Sequence, residues 1–166
     1  MTLDELLACW RYAALTARHK RYVYAAGRKL GVSRWQLLVH DLSKFTPAEL
    51  PHYARQFFMK PTVANRDAFA AAWLHHQNTN PHHWEYWVPR TGHTLSLGSS
   101  QSAAMPMPRR YVNEMVADWL GAGRAYEGRY PDSLDGWTWL HANLPKMTLH
   151  PMTRIYMWDA ISRYFR

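Results

Sequence analysis

A chain of 166 residues, 48% hydrophobic and 19% charged, has the apolar surface for one globular domain and too little charge to stay disordered. No apolar run approaches the roughly 20 residues that span a bilayer, the N-terminus carries no signal core, and the single Cys9 excludes an internal disulfide and a thiolate zinc finger. The net charge of +8 favours an anionic partner, but no basic run exceeds Arg109–Arg110, which speaks against a dedicated nucleic-acid arm, so the expectation is a cytoplasmic protein with a small anionic ligand and no membrane partner.

The stretch "TLDE" at 2–5 is a capping box, in which Thr2 accepts from the first turn and Glu5 reaches back. It predicts a helix to about Leu30, stopped by Gly31. "SRWQ" at 33–36 is a second box and predicts a helix continuing through "LLVHDLSK". "TPAE" at 46–49 is a third, with Pro47 at the first helical position, where its missing N–H costs nothing. "ANRDAFAAAWLHH" builds a fourth helix over 63–78. A fifth starts at Pro108 and runs through "RRYVNEMVADWL" to Gly121, and two more are predicted over 137–144 and 152–165. No segment sustains the two-residue alternation of a strand. The fold class is therefore all-α, a single domain over 1–166 with six or seven helices. Residues 89–108, rich in Gly, Ser and Pro and without a helical stripe, predict a flexible loop, either a lid or a surface insertion.

Several polar residues sit where core is expected. His19 interrupts the apolar stripe Tyr12, Leu15, Tyr22, Val23, Ala26, Leu30. His40 and Lys44 are one turn apart on the second predicted helix, with Asp41 alongside. His76 shares a face with Phe69 and Trp73, with His75 about a quarter-turn away. Asp118 edges the stripe of Met115 and Trp119, with Glu114 one turn earlier. "HHWE" adds His82, His83 and Glu85 in a turn. A lone histidine on an apolar face is usually a hydrogen-bonded core residue. Repetition across several helices changes that, because burying many such groups without a shared partner is expensive. A divalent transition metal (Mn, Fe, Co, Ni or Zn) satisfies imidazoles and carboxylates together, so a metal site is expected.

This ordered set resembles the HD superfamily of metal-dependent phosphohydrolases, all-helical proteins named for an adjacent His-Asp pair. The superfamily's order of ligands reads here as His19, His40–Asp41, His76, His82 or His83, and Asp118. "HDLSK" looks like the His-Asp-x-x-Lys form of two-metal branches, and "HHWE" like their His-His-Glu element. With "FAAAWLHH" and "NEMVADW", the chain also resembles an uncharacterised family of bacteria and phages over most of its length.

The resemblance implies an HD-like helical bundle. In it His19, His40, Asp41 and Asp118 hold a first metal, and His76 and His83, with or without His82, hold a second that Asp41 bridges. The implied activity is hydrolysis of a nucleotide or related phosphate ester by metal-activated water. Lys44 would neutralise a phosphate oxygen, unless it is merely a helix-end lysine in solvent. Glu85 or Glu114 would orient the water or a ligand imidazole. Trp84, with Tyr86 and Trp87, is the nearest candidate to stack on a nucleobase. Arg109 and Arg110, at a helix start, offer charge and N–H donors to a phosphate. Two other functions stay open: an HD-type di-iron oxygenase, and a non-catalytic protein that binds a nucleotide or nucleic acid.

Overall fold

The computed structural model describes residues 1–89, 95–97, 100–102 and 104–166. The first capping box closes as expected: Glu5 N donates to Thr2 Oγ1 at 3.2 Å and Thr2 N donates to Glu5 Oε2 at 2.8 Å. It starts α1, Leu3–Lys29, which ends just before Gly31, a residue with φ of 76° that only glycine adopts cheaply. Ser33 likewise caps α2, Arg34–Val39, accepting from Gln36 N at 3.2 Å.

The predicted continuation of α2 through Lys44 does not form. His40 leaves the helix with ψ of 130°, and Asp41 is left-handed at φ 56°, the one such non-glycine residue among those described. A 3-10 turn, Leu42–Phe45, follows. The break is held from outside, because Lys20 of α1 donates to the carbonyls of Leu38 and His40. The third helix also starts later than Pro47 suggests. α3 spans Leu50–Phe58, with Pro51 in its first turn and Glu49 at the cap position, where the side chain makes no cap bond.

The remaining helices lie close to expectation: α4 is Val63–Thr79, α6 Thr138–Asn143 and α7 Pro151–Tyr164. α5, Arg109–Glu127, passes its predicted stop at Gly121 and ends instead at Gly128, with φ of 84°. Among the described residues the domain is all-α, with seven α-helices. The flexible loop expected over 89–108 falls partly on residues outside the described ones. Within it Leu95–Leu97 (β1) and Ser100–Ser102 (β2) pair as an antiparallel ribbon, Leu95 opposite Ser102. Among the described residues no helix is long and apolar enough to cross a membrane.

Two apolar clusters form, and α1 runs through both. Val23, Ala26 and Leu30 join Val112, Met115 and Leu120 of α5 and Met157 and Ile161 of α7. Ala8 and Tyr12 join Tyr53 and Ala54 of α3 and Ala72 of α4. Each fully buried aliphatic contributes about 1.5–3 kcal/mol, so the site between the clusters is clamped from two sides. Thr16 and His19, both buried, occupy that gap along α1.

The α1–α5 contact is close because Gly121 has no side chain. A Cβ there would lie 2.5 Å from Val23 Cγ2 and 2.8 Å from Val23 N. Gly121→Ala should therefore cost about 1–3 kcal/mol in urea unfolding, because backbone has to move. Gly123→Ala is the control: its nearest neighbour would be 3.9 Å away, and the change should be neutral or stabilise by up to about 1 kcal/mol. Equal effects at the two glycines would contradict this packing.

Candidate metal centre

The break after Val39 is what brings His40 and Asp41 together. On a continuous helix, neighbouring side chains diverge by about 100°. Here the left-handed turn at Asp41 leaves His40 Nε2 3.5 Å from Asp41 Oδ2. Asp41 is fully buried, and its two oxygens face different imidazoles. Oδ2 also lies 3.4 Å from His19 Nε2 on α1. Oδ1 lies 3.3 Å from His76 Nε2 on α4 and 3.4 Å from His82 Nε2 in the following turn. Asp118 of α5 completes the first set, with Oδ1 2.9 Å from His19 Nε2 and 3.4 Å from His40 Nε2. His83 completes the second, and in each set the four ligand atoms lie within 4.8 Å of one another.

These atoms lack ordinary partners. Nε2 of His19, His40, His76, His82 and His83, together with Asp41 Oδ1, is buried and makes no hydrogen bond. Leaving so many groups unpaired costs about 1–3 kcal/mol each. Donors about 2.1 Å from a common ion sit about 3.0 Å apart at octahedral corners and 3.4 Å apart at tetrahedral ones. The spacings of 2.9 to 3.5 Å within the cluster match those edges. The buried set can hold a metal ion.

A second layer of carboxylates fixes the rings. Glu114 Oε1 accepts from His40 Nδ1 at 2.9 Å and lies 3.5 Å from His82 Nδ1. Gln36 Nε2 donates to Glu114 Oε2 at 2.5 Å. Glu49, completely buried, accepts from His76 Nδ1 at 2.8 Å and from His75 Nδ1 at 2.9 Å. A proton held on Nδ1 leaves Nε2 as the lone-pair side, which is the tautomer a ligand needs. Sequence reasoning missed Gln36 and Glu49, reading both as the last residues of capping boxes. Pro51 was the available signal: it suits the first turn of a helix that begins at Leu50, which frees Glu49 from the interior of a turn.

A cavity of about 650 Å³ opens onto the cluster and is lined by His19, Lys44, His83, Glu85 and Asp118. Lys44 is not a solvent-facing helix end; its side chain is 11% exposed and Nζ donates to Asp41 Oδ2 at 2.6 Å. Glu85 lies 3.9 Å from His83 Nδ1, with a buried Oε2 that has no hydrogen-bond partner, and burial raises its pKa. Trp84 lines the cavity, whereas Tyr86 and Trp87 do not. Trp87 Nε1 instead donates to Pro81 O at 2.8 Å, bracing the turn that carries His82 and His83.

Arg109 and Arg110, expected to meet a phosphate, stand apart from this cavity. Neither lines the cavity: Arg109 pairs with Asp159 of α7, and Arg110 lies 4.7 Å from the Tyr111 ring centroid. They open α5, whereas the cavity meets that helix from Asp118 onward, about two turns later. Besides Lys44, the cations that do line the cavity are Arg129 and Lys146, which no motif marked.

Residues 8–163 match a family of unknown function, DUF5662. The chain belongs to that family. No curated protein and no solved structure matches it. Every side chain of the cluster, from His19 to Asp118, falls inside the matched span of this DUF5662 member.

Charge is distributed unevenly over the cluster. Burial pulls the His40 pKa down, but Asp41, Asp118 and Glu114 outweigh it and raise it to about 10. Burial raises Asp41 and Asp118; His40 and Lys44 for the first, and His19 and His40 for the second, hold both well below the usual carboxylate range. Burial and neighbouring imidazoles lower His82 and His83.

Metal binding at His40 Nε2 must therefore displace a proton. Affinity for Mn or Zn should rise from about pH 6 to about pH 9, with about one proton released per ion of the first set. In the metal-free DUF5662 protein the sign is opposite. The raised pKa stabilises the fold fully below the unfolded value of 6.5, and that contribution is lost as pH climbs toward 10. Calorimetric titration of the metal-free protein in buffers of different ionisation enthalpy checks this. Affinity independent of pH, with no proton released, would contradict it.

Proposed function

We propose that this protein is a metal-dependent phosphohydrolase acting on a nucleotide or related phosphate ester. The supporting observation is the buried Asp41 carboxylate, whose opposite oxygens face two imidazole sets beside a cavity. The ordered set also resembles the HD superfamily. In this reading His19, His40, Asp41 and Asp118 hold one divalent transition metal, and Asp41, His76, His82 and His83 hold a second.

Ions bound there would supply activation of water and neutralisation of phosphoryl charge. The chain's own groups do the rest. Burial lowers the pKa of Lys44, but Asp41 raises it well above its ordinary value, so the ammonium stays charged beside the cavity. It is placed to meet a phosphate oxygen as charge develops. Of Glu85 and Glu114, the second is committed to His40 and Gln36, so Glu85, which lines the cavity, is the one free to face a water or a leaving oxygen. Trp84, with Trp119, Tyr126 and Trp139, forms aromatic wall along the cavity, where a base could stack.

One other enzyme reading has an observation in its favour. Five imidazoles against two carboxylates make a nitrogen-rich donor set that suits iron, as a di-iron oxygenase requires.

The test is a phosphate-release screen over nucleoside mono-, di- and triphosphates with Mn or Co added. Release from at least one of them is expected. Iron retention with oxygen uptake would favour the oxygenase, and full metal loading with neither reaction would favour a binding protein. Lys44→Ala should lower phosphate release about 10²- to 10³-fold while metal content stays at the wild-type level. Parallel loss of metal and rate would show that Lys44 serves the ligands and not the substrate.

A further inference from the structure

Tyr53 of α3 is a polar group beside the cluster that the metal-binding reading leaves unused. Its ring is buried at 3% exposure, stacked on Tyr12 at 5.3 Å, with edge contacts to Phe69 at 5.0 Å and His76 at 6.2 Å. Those neighbours account for the ring. They do not account for the hydroxyl, which is buried and has no hydrogen-bond partner. Phe69 offers no acceptor, and His76 has Nδ1 committed to Glu49 and Nε2 turned to Asp41. Lys44, whose charge acts on the Tyr53 phenol, can only donate. Tyr53 lines the same cavity as Lys44 and Asp118.

A phenylalanine would fill the same space without a buried, unpaired oxygen, so packing gives no reason for the hydroxyl. Burial raises its pKa far above the ordinary phenol value, which keeps the proton on the oxygen. The group is therefore a donor lacking an acceptor, in a cavity wall that also carries the Lys44 ammonium. Tyr53 and the Lys44 ammonium line the same cavity, and an acceptor held there beside a cation is best an anionic one.

We propose that Tyr53 is a substrate-contact residue whose hydroxyl donates to a non-bridging phosphoryl oxygen, alongside Lys44. The inference rests on the phosphohydrolase reading. It is tested on the full, metal-loaded chain with Tyr53→Phe, measuring melting temperature, metal content and affinity for inorganic phosphate. The expected result is a melting temperature equal to or above wild type, unchanged metal content, and phosphate binding weakened about ten- to hundredfold. Wild-type affinity for phosphate in the variant would overturn the role of Tyr53 and leave the phosphohydrolase reading standing. A fall in metal content or melting temperature would overturn it too, since the hydroxyl would then serve the ligands or the fold. Failure of the wild-type protein itself to bind phosphate would overturn both.

Discussion

A carboxylate buried completely between two groups of histidines is the constraint on which the rest of this structure depends. Asp41 shows one oxygen to His19 and His40 and the other to His76 and His82, so α1, α2 and α4 are all tied to a single side chain. Reaching that position forces α2 to stop at Val39 and Asp41 to turn left-handed. For a residue other than glycine that turn costs about 1–2 kcal/mol. It also strands carbonyls at the end of α2, and Lys20 donates to those of Leu38 and His40. The strain lies at the centre of the site, where strained backbone most often has a functional reason.

The surrounding architecture keeps those charges out of water. Apolar clusters on either side of His19 hold α1 against α5 and against α3 and α4. The close approach at Gly121 sets Asp118 opposite His19 at 2.9 Å. Glu49 and Glu114, both buried, then take up the outward nitrogens of His76 and His40. A buried carboxylate–imidazole network of this size is a poor way to stabilise a domain, because desolvation offsets much of the attraction. Unpaired Nε2 atoms add to that cost. A bound ion would turn the same geometry from a liability into folding free energy.

Much of this was legible in the sequence, for a physical reason. His19 and His76 break stripes of three- and four-residue spacing, and a periodic pattern predicts which way a helical side chain faces. Both proved buried. What misled was local grammar applied at positions that tertiary contacts had claimed. The motif Ser/Thr-x-x-Glu/Gln occurs three times, and only Thr2–Glu5 closes in both directions. In the other two, the side chains of Gln36 and Glu49 turn away to the histidine network. Arg109 and Arg110 raise a related point. A helix start suits a phosphate, but the sequence does not say which end of α5 meets the cavity.

The claim that Asp41 bridges two ions is tested most directly by anomalous diffraction from crystals of the protein grown with Mn. The account predicts two peaks about 3.5–4 Å apart, one on the Oδ2 side with His19, His40 and Asp118, the other on the Oδ1 side with His76, His82 and His83. A single peak, or two peaks that do not flank the Asp41 carboxylate, would contradict it.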